Sequence, residues 1–317
     1  MSIIEILSTE KYTSGNEIGR FLGISRAAVH KQINRLRQIG YTIKSSSKGY
    51  IIVKQCNLFN EYEIKANLKK PLNICKTIKY YKETASTQTV VKKLAEKDFG
   101  EGIVVIAEKQ TKGYGRIKRM WSSNAGGLWV SMLLKPVIRP DESSKLALLF
   151  SIVLNRILEK KYGIRSEIKW PNDILICGKK VAGIIIEMSA EQDIINWVAA
   201  GIGVNINNSL PEDLKNISIS IKEVLKREIN RAEFIVALLA EFESLYFNFQ
   251  KDGFKQFLEE YNSKAAYKNA LVTVDGGYNN DAITGKSFGI DESGRLIIET
   301  KNKFEKIVSG TLRRAEK

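Results

Sequence analysis

Two short segments restrict this chain more than any other part of it: Gly113-Tyr114-Gly115-Arg116-Ile117-Lys118-Arg119-Met120-Trp121 and, further on, Lys169-Trp170-Pro171-Asn172-Asp173. Glycines in the first let the backbone pack closely on a ligand, and cations on such a loop neutralise carboxylates and phosphates. A flexible surface loop has the same composition, so the first segment alone decides little. In the second, proline after tryptophan forces extended or turning backbone at the close of an apolar run (Ile164, Ile168), which ends a strand. Strand ends are where open sheets bind ligands, and the pair of segments together fits nucleotide chemistry.

At 317 residues and 44% hydrophobic content, the chain can bury one substantial core and still carry one or two small domains. Its net charge of +15 favours anionic partners such as nucleic acid or nucleotides, and a lysine-rich solvated surface is the plainer source of the same excess. Cys56, Cys75 and Cys177 lie far apart with no C-x-x-C spacing, so they read as ordinary buried or half-buried thiols, with no metal site or disulfide framework. His30 is the only histidine, which argues against Ser-His-Asp or Cys-His catalysis and against a histidine-ligated metal. Any reaction then runs on lysine, arginine and carboxylate. No charged segment leads into an apolar core at the start and no long apolar run follows, so a cytoplasmic protein without a membrane partner is expected.

The first residues read as a winged helix-turn-helix. Ile3, Ile4, Ile6 and Leu7 give an apolar face, Ser14 and Glu17 form a capping box that starts a second helix ending near Gly23, and Ser25 caps a third from Arg26 to Ile39. The third helix places Val29, Ile33 and Leu36 on one stripe. Apolar runs at 41–43 and 50–53 flank Ser45-Ser46-Ser47-Lys48-Gly49, a hairpin with a basic tip. Residues 1–53 carry eight lysines and arginines against three glutamates. Any solvated basic helix pair has such a balance, but the order of helix, three-residue turn, helix and basic wing favours DNA binding through Arg26, His30, Lys31, Asn34, Arg35 and Lys48.

Residues 57–75 read as a connector of mixed charge. Beyond it, helices at Thr87–Lys97 and Lys145–Tyr162 alternate with apolar runs at Ile103–Ala107, Leu128–Leu134, Val181–Met188 and Trp197–Ile206, interleaved around one sheet. A helical stretch from Arg231 to about Tyr261 follows. Short strands at Leu271–Val274, Ala282–Gly289, Leu296–Glu299 and Phe304–Ser309, with turns at Asp275-Gly276-Gly277 and Asp291-Glu292-Ser293-Gly294, predict a small barrel.

The glycine- and arginine-rich loop ending in tryptophan, followed by Lys-Trp-Pro-Asn-Asp, resembles the biotin protein ligases. Ser86-Thr87-Gln88, Glu108-Lys109-Gln110, Lys180-Val181-Ala182-Gly183 and Gly201-Ile202-Gly203-Val204-Asn205-Ile206-Asn207 match the family in its own order. The resemblance implies an α+β architecture: a winged helix-turn-helix over 1–56, a linker over 57–75, a mixed-sheet α/β ligase domain of class II synthetase-like type over 76–266, and an SH3-like β-barrel over 267–317. It implies ATP-dependent joining of biotin to a lysine of a biotin carboxyl carrier protein, as of acetyl-CoA carboxylase, through biotinyl-5'-adenylate, with magnesium accompanying ATP. It also implies repression of biotin genes by a homodimer on operator DNA when adenylate is bound.

By the same resemblance, Ser86, Thr87, Gln88 and Gln110 contact the biotin ureido ring, joined in the biotin site by Tyr114, Gly115, Arg116 and Lys180. Arg116 and Lys180 hold carboxylate and phosphate oxygens, Arg119 and Trp121 order the loop and shield the adenylate, and Lys169, Asn172 and Asn205 face the nucleotide. Asp173 is left with two roles, one toward the nucleotide or the incoming lysine, the other a structural ion pair. Ser86 and Thr87 also suit a helix cap, and Trp170 suits packing. The family's loop usually has arginine where Tyr114 stands and glycine where Lys118 stands, so their duties are open. A ligand-sensing transcription factor without ligase activity and a lipoate-type ligase are the competing readings. The phosphate-neutralising set of Arg116, Lys169, Asp173 and Lys180 counts against the first, and the winged helix and Lys-Trp-Pro-Asn-Asp against the second.

Overall fold

The computed structural model describes residues 3–38, 40–53, 58–276, 282–301 and 303–315. Expectations that fall on Ile39, Cys56, Gly277 and the 56/57 boundary lie outside these. The chain divides into two compact units, Met1–Lys70 with Asn230–Val236 and Pro71–Ile229 with Ala237–Lys317.

In the first unit, α1 (Ile3–Ile6), α2 (Gly15–Leu22) and α3 (Arg26–Gln38) precede a hairpin of β1 (Ile43–Ser46) and β2 (Gly49–Ile52). The Ser14 hydroxyl accepts from Glu17 N at 3.1 Å, one half of the expected capping box, Ser25 accepts from Ala28 N at 3.2 Å, and Gly23 closes α2 with φ 66°. Ile3, Leu7, Ile18, Val29, Ile33, Leu36, Tyr41 and Ile43 form the core. The wing strands reach further than predicted, to Ser46 and Gly49, leaving only Ser47 and Lys48 in the turn, because Gly49 takes φ 125° and lets the chain reverse tightly. Residues 57–75 are not simply a connector: they contain α4 (Glu61–Asn67), whose cap is the Asn60 side chain accepting from the backbone of Tyr62 and Glu63.

The second unit is built on a seven-stranded sheet. Its strands are β3 (Thr77–Thr84), β4 (Ile103–Gln110), β5 (Leu128–Leu134), β6 (Glu167–Lys169), β7 (Asp173–Ile176), β8 (Lys179–Glu191) and β9 (Ile194–Val204), in the order β3-β4-β5-β9-β8-β7-β6. The β3–β4 pair is parallel and the other pairs are antiparallel, so the sheet is mixed. Helix α5 (Thr87–Ala95), shorter than predicted, crosses between β3 and β4, and its Val91 and Ala95 pack on Ile103, Val105, Leu133 and Ala199. Helix α6 (Lys145–Tyr162) matches its predicted range, and buried residues occupy nearly every turn of it.

After the short α7 (Ile221–Leu225), the predicted Arg231–Tyr261 helix is two. α8 runs Arg231–Asp252, Gly253 ends it with φ 71°, and α9 resumes at Leu258–Lys264. The Gln256 amide donates to the Asn248 and Gly253 carbonyls at 3.0 Å each, satisfying the terminus that the break exposes. The C-terminal antiparallel sheet comprises β10 (Leu271–Asp275), β11 (Ile283–Ile290), β12 (Leu296–Glu299), β13 (Phe304–Ile307) and a strand missed in the sequence, β14 (Thr311–Arg314), in the order β13-β12-β11-β10-β14. Cys75 is buried, as expected of an ordinary thiol, but Cys177 is exposed, since it occupies the β7–β8 turn with φ 50°.

Phe242 on α8 is fully buried, stacked on Phe150 of α6 at 4.1 Å between ring centroids and on Tyr246 at 5.2 Å. Phe242→Ala should destabilise the protein by about 3–5 kcal/mol through the cavity it leaves, measured as the shift in its denaturant unfolding midpoint. A loss below about 1 kcal/mol would mean that the two helices collapse onto the gap.

Candidate functional site

Strand alternation puts Trp129 and Ser131 of β5, Gly183, Ile185 and Glu187 of β8, and Ala199, Gly201 and Gly203 of β9 on one sheet face, the face that α5 covers. Three of those positions have no side chain. The recess they leave is the floor of a cavity of about 320 Å³. A Cβ on Gly203 would sit 2.7 Å from Trp121 Nε1, one on Gly183 3.0 Å from both Lys180 and Trp121, and one on Gly201 2.7 Å from Gln88 Oε1. The Trp121 indole thus lies on bare backbone, with Lys180 Nζ 4.9 Å from its ring.

Every ligase-site residue expected from the sequence lines this cavity: Ser86, Thr87, Gln88, Gln110, Tyr114, Gly115, Arg116, Arg119, Trp121, Lys169, Asn172, Asp173, Lys180 and Asn205. One end is uncharged. Ser86, Thr87 and Gln88 are buried at the N-terminus of α5, but Ser86 makes no side-chain cap there. The cap is Gln110, whose Oε1 accepts from Thr87 N at 2.8 Å and from Thr87 Oγ1 at 3.1 Å while its Nε2 donates to Ser123 at 2.8 Å. Gln110 is therefore occupied at both ends of its amide. Gln88 Nε2 donates to the Ala199 carbonyl at 2.8 Å, and its buried Oε1 has no partner in the protein, an acceptor suited to a ligand N–H.

The other end is cationic. Asp173 Oδ1 lies 2.6 Å from Lys180 Nζ, so the structural ion pair exists, and Asp173 is the one carboxylate among the described lining residues, set against Arg116, Arg119, Lys169 and Lys180. Burial pushes the Lys169 ammonium down, Asp173 opposes the shift, and Lys180 and Arg119 add to it. Burial likewise lowers Arg116, against Asp173 and with Arg119. In both groups burial is the main cause, and Asp173 is the largest charge acting against it.

Arg116 is aimed by Asn172, whose Oδ1 accepts from Nη1 at 3.1 Å, and by the Gly310 carbonyl at 3.3 Å. Asn172 is itself fixed by donating to the Ile184 carbonyl at 2.8 Å. Asn205 is buried and accepts from Asn208 at 3.1 Å. Trp170 is buried with Nε1 donating to Gly294, which bears out a packing role. Tyr114, whose duty the sequence leaves open, donates its hydroxyl to Glu187 at 2.8 Å.

Sequence reasoning missed part of the wall. Leu210, Leu214, Ile217 and Ser218 line the cavity from the segment after β9, and Gly310, Thr311 and Leu312 line it from the C-terminal sheet. No motif marks either group. The alternation of glycine with Ile202 and Val204 was the available signal for the floor, since glycine on one face of a strand leaves room for a ligand.

In the first unit Arg26, His30, Lys31, Asn34, Arg35 and Lys48 are all exposed. Asn34 is engaged on both sides, Nδ2 bonded to His30 Nε2 at 3.0 Å and Oδ1 accepting from Arg37 at 3.2 Å, while His30 Nδ1 lies 3.3 Å from the Tyr50 hydroxyl of β2. Arg37 also donates to Ile43 O and Ser45 Oγ, so these side chains brace α3 against the wing. Among the described residues no helix is long and apolar enough to cross a membrane, and no three His, Cys, Asp or Glu side chains group for a metal.

A cavity with one hydrogen-bonding and one cationic end suits an enzyme that joins anionic reactants. Residues 80–207 match the Biotin/lipoate A/B protein ligase family, residues 1–51 an HTH domain and residues 272–311 the Biotin protein ligase C terminal domain. The chain is 37% identical to the Bifunctional ligase/repressor BirA of Bacillus subtilis (strain 168), across 98% of this chain and 97% of that protein. It is 27% identical to the protein of the same name from Escherichia coli (strain K12), across 100% and 98%. The biotin protein ligase from Aquifex aeolicus, solved in complex with biotin and ATP, superposes with a TM-score of 0.68 at 32% identity, covering 76% of this chain and 100% of that one. The chain belongs to the biotin protein ligase family, in the form that carries an N-terminal helix-turn-helix domain.

The glycine floor makes a direct test. Gly203→Ala should displace the Trp121 indole and shift tryptophan emission, and the same substitution in a Trp121→Phe background should leave emission unchanged. An unaltered spectrum in the first case would show that the indole does not rest on Gly203.

Proposed function

We propose that the protein activates biotin with ATP to biotinyl-5'-adenylate and transfers the biotinyl group to a lysine of a biotin carboxyl carrier protein. The observation that carries this is the convergence of Arg116, Arg119, Lys169 and Lys180 at one end of a cavity whose other end offers buried, uncharged hydrogen-bonding groups. Biotin has that polarity, a ureido ring at one end and a carboxylate at the other. Ser86, Thr87 and Gln88 take the ureido end, where the unpartnered Gln88 Oε1 accepts a ureido N–H. Gln110 acts one step back by holding Thr87. Tyr114 and Gly115 cover the ligand from the loop, and Arg116 and Lys180 receive the carboxylate.

A carboxylate oxygen then attacks the α-phosphorus of ATP, the bond to pyrophosphate breaks, and the acyl-adenylate forms. Both reactants are anionic, and fixed cations offset the charge that accumulates in the transition state. Arg116 and Lys180 are the groups we assign to that task, with Arg119, Trp121, Lys169, Asn172 and Asn205 on the nucleotide side. Magnesium would arrive on the ATP phosphates, since Asp173 already pairs with Lys180 and the described lining offers no other carboxylate. In the second step the acceptor lysine attacks the acyl carbon and AMP leaves. Asp173 keeps Lys180 aimed until the anion takes its place, and is then positioned to accept a proton from the incoming amine.

Lys180→Ala and Arg116→Ala should each slow biotin-dependent exchange of pyrophosphate into ATP, by the equivalent of about 2–5 kcal/mol. Wild-type exchange in both variants would remove these residues from the reaction.

We further propose that the helix-turn-helix makes the protein a repressor of biotin genes, a cytoplasmic homodimer on operator DNA favoured by the adenylate. The exposed Arg26, His30, Lys31, Asn34, Arg35 and Lys48 on α3 and the wing support this reading, as does the repressor in the relatives' name. We propose domains over 1–56, 76–266 and 267–317, with residues 57–75, which include α4, between the first two. In mobility shifts on a palindromic duplex, Lys48→Ala and Arg35→Ala should weaken binding and flatten its dependence on salt by about 0.9 in log-log slope for each phosphate no longer neutralised. Binding that ignores palindromy, ligand and both substitutions would leave a ligase with a non-specific basic domain.

A further inference from the structure

The glycine-rich loop has two side-chain ties to the sheet. On the β7 side Arg116 donates to Asn172, and on the β8 side the Tyr114 hydroxyl donates to Glu187 Oε2 at 2.8 Å. Arg116 also donates to the Gly310 carbonyl at 3.3 Å, Gly115 N to Arg119 O and Arg119 N to Arg116 O bond within the loop, and Ile117 and Met120 stand 77% and 90% exposed. These two ties differ in kind. Arg116 lies among the cations of the cavity, so an anionic ligand competes with Asn172 for its guanidinium. Tyr114 binds a carboxylate that the ligand does not need.

Glu187 is prepared for that bond. Lys92 of α5 holds its Oε1 at 2.9 Å, leaving Oε2 to the phenol, and the Lys92 ammonium also lies 5.8 Å from the Tyr114 ring centroid. Burial would raise the Glu187 carboxyl, but hydrogen bonds from Lys92, Tyr114 and Gln88 outweigh it and hold the group below its ordinary range. Three elements thus meet at one charged acceptor: the loop, the helix that opens with Ser86-Thr87-Gln88, and the strand that carries Gly183.

We propose that Tyr114, Glu187 and Lys92 form a latch that keeps the loop down while Arg116 changes partners, so that they are positioning residues which set how long the adenylate is retained. The inference rests on the ligase reading above. Losing the latch leaves every group that touches the reacting atoms in place and speeds loop opening. Release of the intermediate should suffer more than its formation.

The test uses the full-length protein loaded with biotin and ATP, following release of labelled adenylate into an excess of unlabelled ligand. Tyr114→Phe should release it about ten-fold faster, as expected for losing one hydrogen bond to a charged group. Tyr114→Arg supplies a donor to the same carboxylate and should restore slow release. Glu187→Gln should also release faster, and the Tyr114→Phe, Glu187→Gln double variant should be no worse than the more affected single variant, because both remove one interaction. Wild-type release from Tyr114→Phe, or strictly additive effects in the double variant, would overturn the latch. Tyr114→Phe is half-buried and conservative, so the proposal stays testable if Glu187→Gln folds poorly. Absence of any pyrophosphate exchange in the wild type would instead count against the ligase reading.

Discussion

Gly183, Gly201 and Gly203 lie side by side on β8 and β9, and the cavity exists because none of them has a Cβ. A sheet face under a helix is ordinarily filled by apolar side chains, as it is nearby where Ala199 of β9 and Leu133 of β5 pack on α5. Removing side chains at three neighbouring positions costs buried apolar area and gives a smooth recess. Trp121 then has a flat surface to lie on, and its ring in turn faces Lys180. The loop and the cation therefore both depend on the floor, and a methyl group on any of the three glycines meets one of them or Gln88.

Charge supplies the second constraint. Four cations share one end of a partly buried cavity with a single carboxylate, where burial itself works against the charged forms of Lys169 and Arg116 and Asp173 acts in their favour. Two of the cations are held in place by partners: Arg116 by Asn172 and Gly310, and Lys180 by Asp173. An anion binding there relieves repulsion as well as forming new bonds. A site held in this way is organised before its ligand arrives, and preorganised charge is the kind that stabilises a transition state without further rearrangement.

How much of this was legible in the sequence depended on how local the signal was. Helix α6 and strand β5 were read to the residue because an uninterrupted apolar pattern ends at Gly163 in one case and at Lys135 in the other. Strand β6 was marked only by its end, at Lys169-Trp170-Pro171, and β7 was not identified: each has only three or four residues and is set by pairing rather than by propensity. Strand β14 was missed because Arg313 and Arg314 look like a charged tail, although Leu312 is buried beneath them. The α8–α9 break was hidden by aromatic residues that continue through it, with Gly253 as its one local mark. At the site the motif residues were found, and their division of labour was not. Gln110 caps a helix that Ser86 was expected to cap, since a capping acceptor can come from a distant strand and no sequence window contains both partners.

The same lesson bears on the helix-turn-helix. From the sequence, Asn34 and His30 are polar groups on the exposed face of α3, equivalent to Arg35 and Lys31. In the structure they differ, because Asn34 joins His30 to Arg37, and those two reach the Tyr50 hydroxyl and the backbone of Ile43 across the wing. A polar side chain already bonded on both sides must give up a bond to contact a base, whereas a solvated lysine or arginine exchanges only water and counterions. The cationic residues of this surface are therefore suited to carry affinity, and the Asn34–His30–Arg37 group is suited to hold helix and wing at a fixed spacing. That spacing decides whether both elements reach one stretch of duplex together.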